Sequence, residues 1–129
     1  MTKRIPLIFV TLVLIGGGIV SAQVPYDSAV TVQIMRNNAR NFGQLNTAVE
    51  QADFAAASEA LVEIGQGSLR LLRHEPPRGR KAVWDRIHRT MVETAVEGIQ
   101  ASNNENVQAL ADVASRVGAL VGEGHGTFQ

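Results

Sequence analysis

The sequence predicts an all-α protein, an antiparallel up-down-up-down bundle of four helices, on three observations. Four successive stretches carry apolar residues at spacings of three and four, no stretch alternates in the manner of a strand, and the breaks between the stretches are short. With 45% hydrophobic and 19% charged residues over 129 positions, the chain has apolar side chain enough for one packed domain and too little charge for disorder. Helices of about 20 residues run about 30 Å each. An irregular array of the same helices is the alternative arrangement.

The first 22 residues stand apart. Thr2-Lys3-Arg4 gives a positive start, Ile5 to Ile15 is mostly apolar, and Val20-Ser21-Ala22 offers a cleavage site. This pattern predicts a secretory signal peptide over residues 1–22, cut before Gln23, and export to the periplasm. A retained anchor is the rival reading, but Gly16-Gly17-Gly18 interrupts a run already short of the about 20 residues that span a bilayer. Loss of Lys3 and Arg4 leaves ten basic side chains against twelve acidic ones, with nothing resembling a nucleic-acid binder. The chain has no cysteine. An exported domain of this size is then held by helix packing or by a bound cofactor.

In the first helix, from Ser28 to about Glu50, Met35, Ala39, Phe42, Leu45 and Val49 form the apolar face, with Arg36, Arg40 and Gln44 off it. Asp53 is a good N-cap for the second helix, whose stripe is Phe54, Ala57, Leu61, Ile64, Ser68 and Leu71, ending near Arg73. His74-Glu75-Pro76-Pro77-Arg78-Gly79 stops it, because consecutive prolines remove backbone donors and disfavour helical geometry in the preceding residue. The third helix carries Trp84, Ile87, Met91, Ala95 and Gly98, widened by Val92, Val96 and Ile99, and breaks at Ser102-Asn103-Asn104. The fourth starts near Asn104 or Glu105 and presents Val107, Leu110, Ala114, Val117 and Val121, a stripe whose next member is His125.

Topology decides which residues meet. The start of helix one, the proline connection and the end of helix four share one end of an up-down bundle, which makes Met35, that connection and His125 neighbours. Histidine and methionine inside a bundle are ligand types that hold haem iron. Equally, an interior methionine fills core space, and a histidine near a terminus meets solvent or the last helical carbonyls. Gly118, Gly122, Gly124 and Gly126 surround His125, and a helical glycine costs about 1 kcal/mol relative to alanine. They leave room for something flat or bulky, or they let helices approach and end the helix. The basic residues Arg73, Arg78, Arg80 and Lys81 at the same end suit haem propionates or an acidic redox partner, or form a solvated loop. His74 and His88 have no partner at metal-site spacing and read as surface residues. No nucleophile and base pair, paired carboxylates or phosphate-cradling loop occurs, so an enzyme is not expected.

Several stretches together resemble one family: Met35-Arg36 with Phe42-Gly43-Gln44-Leu45, Asp53-Phe54-Ala55-Ala56-Ala57, the proline connection followed by Val83-Trp84, and His125-Gly126-Thr127-Phe128-Gln129. The resemblance is to the cytochrome c′ superfamily and covers the predicted mature chain in order. It implies a haem protein in which His125 is an axial iron ligand. The family's two haem-bonding cysteines match Val121 and Gly124, so covalent attachment is chemically impossible; the basic residue that often closes the motif is Gln129. A soluble periplasmic b-type cytochrome of similar fold holds haem non-covalently between an early methionine and a late histidine, positions that Met35 and His125 resemble. With both ligands bound the iron is six-coordinate and suited to one-electron transfer. With Met35 merely packed against the ring it is five-coordinate and open to nitric oxide or carbon monoxide. The competing expectation is a haem-free binding or structural bundle, dimeric through helices one and two.

Overall fold

The computed structural model describes residues 23–128; the expected signal peptide, residues 1–22, and Gln129 lie outside them. Four helices, α1 (Ser28–Gln51), α2 (Phe54–Leu71), α3 (Lys81–Asn103) and α4 (Val107–Phe128), make the antiparallel bundle. Each helix packs on two neighbours: α1 and α3 both lie against α2 and α4, and across each diagonal no two Cα atoms come within 8 Å. The helices therefore form a closed ring around a shared interior.

Local chemistry sets the helix ends. Asp27 caps α1 by accepting from the Val30 amide at 3.2 Å, and Asp53 caps α2 by accepting from Ala56 at 3.1 Å. The α4 cap is Asn106, which accepts from Ala109 at 3.0 Å. This helix starts later than Asn104 or Glu105 because Glu105 takes a left-handed conformation, φ 53°, to reverse the chain. Ala52 does the same between α1 and α2, with φ 51°. In the longer connection Gly79 has φ 81°, which favours glycine, and a Cβ there would also crowd the Phe128 ring at 3.1 Å. The segment before α1 is tied to this end: Val24 donates to the Arg73 carbonyl at 2.7 Å and accepts from Glu75 at 2.9 Å.

The stripes of α2 and α3 are buried largely as expected. Two others are displaced. On α1 the buried residues are Thr31, Ile34, Leu45 and Ala48, while Met35, Phe42 and Val49 are half-buried and Ala39 is exposed. Because α1 touches α2 and α4 alone, its inward line is set by those two seams and falls one residue from the predicted face. On α4, Leu110, Ala114 and Val117 are buried, Val107 is 40% exposed, and the stripe ends on Phe128 at 4% rather than on His125. A phenyl ring gains more from burial than an imidazole does, and it takes the terminal position.

Two apolar clusters result. The larger fills the body of the bundle and includes Leu45, Leu61, Ile64, Met91, Leu110, Val117 and Leu120. The smaller, Ile34, Leu71, Trp84, Ile87 and Phe128, sits at the proline-connection end. In the larger one α2, α3 and α4 meet closely at Gly98, where an added Cβ would lie 2.5 Å from Leu61 Cδ1 and 2.7 Å from Val113 Cγ1. Overpacking costs about 1–3 kcal/mol, against a helix gain of about 1 kcal/mol for alanine over glycine. Gly98→Ala is therefore expected to be a net loss, read as a lower urea midpoint at unchanged slope.

Candidate functional site

The two clusters leave a cavity of about 70 Å³ where they adjoin. α1 contributes Met35, Asn38 and Ala39 to its wall, and α2 contributes Ser68 and Leu71. Trp84, Ile87, His88 and Met91 come from α3. The last turns of α4 supply Leu120, Val121, Gly124, His125 and Phe128. All four helices are needed to make it.

Trp84 is the post of this end. It is fully buried, its indole Nε1 donates to the Leu71 carbonyl at 2.8 Å, and two rings meet it edge to face. Phe128 lies 5.0 Å away between centroids at 89°, and His88 lies 4.4 Å away at 74°. Each such pair adds about 0.5–1.5 kcal/mol beyond area burial. The Leu71 carbonyl, in the last turn of α2, also accepts from the His74 amide at 3.1 Å, so the indole takes its second lone pair and ties α3 to the end of α2.

His88 overturns its reading as a surface residue: it is 9% exposed and lines the cavity. Four residues after Trp84 and three before Met91, it falls on the buried stripe of α3. Its Nδ1 is buried with no hydrogen-bond partner among the described residues. Burial pushes its pKa down to about 4, with Asp85 raising it and Lys81 lowering it further, so the ring is neutral at pH 7. The hydroxyl of Ser68, also on the wall, is buried and without a partner as well. Buried polar atoms are nearly always paired with protein or water, so two orphans around one cavity mark a place for a polar occupant.

Met35 and His125 reach the same cavity, as the topology predicted, together with Val121 and Gly124. Met35 is half-buried and His125 is exposed. Of the nearby glycines, Gly118 makes room for Phe42, whose Cζ would be 3.0 Å from a Cβ, while Gly122, Gly124 and Gly126 adjoin open space. The basic cluster does not reach the wall. Arg73, Arg78 and Arg80 are exposed on the connection, and Lys81 is engaged by Asp85 and, at 3.4 Å, by the Leu72 carbonyl. His74 is also held elsewhere, its Nδ1 3.3 Å from the Pro25 carbonyl.

Haem meets this site with suitable donors and insufficient space. Pockets for drug-sized ligands run about 300–1,000 Å³. Here the cavity is about 70 Å³, and Trp84 and Phe128 pack against each other on its wall. In this conformation the macrocycle does not fit. Among the described residues, no group of three or more His, Cys, Asp or Glu side chains is placed to hold a metal, and no helix is long and apolar enough to cross a membrane.

No protein-family model, no curated protein and no solved structure matches this chain. Fold and site define its class: a four-helix bundle with a small imidazole- and thioether-lined cavity at one end.

Proposed function

We propose that this chain is an exported, haem-free bundle of cytochrome c′-like architecture that binds a small ligand in its end cavity. The observation that carries the reading is the cavity itself: two orphaned polar groups on the wall of a space of about 70 Å³, with Trp84 and Phe128 packed together beside it. A domain whose interior is filled by its own aromatic side chains does not depend on a prosthetic group to complete its core. The purified protein, titrated with haem, is expected to show no 1:1 Soret complex and to melt cooperatively with or without haem present. A stoichiometric Soret band overturns the reading.

A second reading, non-covalent b-type haem, is favoured by one observation: Met35, Val121, Gly124 and His125 share one wall system, as the superfamily resemblance requires. His125 and Met35 would hold the iron, and the bound group would supply one-electron transfer to a redox partner or small-gas binding. The cost is displacement of Phe128 from Trp84. In that case His125→Ala abolishes the Soret band, and Met35→Ala changes the spin state only if the iron is six-coordinate.

A further inference from the structure

We propose that the end cavity is a site for one soft monovalent metal ion, of which Cu(I) is the type, with the thioethers of Met35 and Met91 and the imidazoles of His88 and His125 as donors. The proposal rests on the haem-free reading above, because an ion and a macrocycle cannot share this space.

Donor placement is the first argument. Apart from Met1, the sequence contains two methionines, Met35 and Met91, and both line this cavity. Of its three histidines, His88 and His125 line it too. Met91 belongs to the larger apolar cluster and Met35 packs against the smaller, and where the two clusters adjoin both thioethers share a wall with an unpartnered buried imidazole. His88 supplies the independent sign of a ligand, since its Nδ1 is buried and unpaired, and Trp84 packed edge to face against the ring limits how it turns. His125 completes the set from the exposed last turn of α4.

The chemistry of the wall then selects the ion. Thioether ligands favour Cu(I), whereas hard cations want oxygen and Zn²⁺ is served by imidazole, thiolate and carboxylate. The wall has no cysteine and no carboxylate. All four donors are neutral when coordinating, so a bound ion keeps its full charge inside an apolar site, and a single charge costs far less to bury than a double one. A void of about 70 Å³ bounded by these side chains has room for a single ion.

The test is an anaerobic titration of the purified protein with Cu(I) in competition with the chromogenic chelator bicinchoninate, with Zn²⁺ and haem titrations beside it. The protein is expected to withhold one equivalent of copper, and X-ray absorption at the copper edge should show both sulfur and nitrogen bound. Met35→Leu and Met91→Leu conserve volume, so their circular dichroism should match the parent while each loses at least about tenfold in Cu(I) affinity. His88→Gln should lose affinity similarly. If the chelator strips all copper from the parent protein, if the leucine variants bind as tightly as the parent, or if the copper spectrum shows only nitrogen and oxygen, the proposal falls. Failure with copper but no Soret band leaves the haem-free reading standing; a Soret band removes both.

Discussion

Trp84→Ala is expected to lower the unfolding free energy by about 3–5 kcal/mol, the range for truncating a large buried aromatic. Domains of this size have about 5–15 kcal/mol in total, so the variant should sit near the edge of folding. Three losses combine. The indole is fully buried, its own Nε1 is satisfied by the Leu71 carbonyl, and both Phe128 and His88 pack edge to face against it. Trp84→Phe separates these, because it retains most of the ring packing and removes the hydrogen bond; its expected loss is about 1–3 kcal/mol. Trp84 is the sole tryptophan, so the series is followed by circular dichroism in urea rather than by fluorescence. A loss below about 1 kcal/mol for Trp84→Ala would mean that the small cluster contributes little to folding.

The metal-free protein is expected to lose stability as pH falls from about 6.5 to about 4, the interval between the ordinary and the buried pKa of His88. The sign follows from proton counting. In that window the unfolded chain carries the proton and the folded chain does not, so acid favours unfolding. The contribution is fully present above pH 6.5, declines through the window and levels off below pH 4. Its full span is about 3 kcal/mol. Urea midpoints at pH 7 and 4.5 measure it, and His88→Leu should flatten the dependence even if the variant is less stable at both values. Equal slopes in parent and variant would place the acid sensitivity on other groups.

The bundle was legible because α2 and α3 write their buried faces plainly: Ala57, Leu61, Ile64 and Leu71 on one, Trp84, Ile87, Met91 and Ala95 on the other. On α1 the face was misplaced by a residue, since Ile34 and Met35 are adjacent apolar positions and periodicity alone does not say which points inward. A buried Thr31 on the true face added no apolar signal. That Met35 and His125 line one cavity followed from topology. His88 is hidden for a different reason: its spacing to other titratable residues carries no metal-site signal, whereas its spacing from Trp84 and Met91 puts it on the buried stripe. Its unpaired Nδ1, and the aromatic packing of Phe128 on Trp84, are tertiary facts that no local pattern carries.

Three of the four seams in the ring join helices that follow one another along the chain; the fourth joins α1 to α4. The first three close over short connections, whereas the last brings together segments separated by most of the domain and carries the largest loop entropy. The cavity takes walls from both of those distant helices, so a partly folded α2–α3–α4 hairpin array has no binding site. An occupant that binds only the closed ring stabilises the native state over every partly assembled one; where closure of that last seam follows the rate-limiting step, it slows unfolding and leaves the speed of folding unchanged. Occupancy would lengthen the lifetime of the finished protein, and its cavity would distinguish a completed chain from one still assembling.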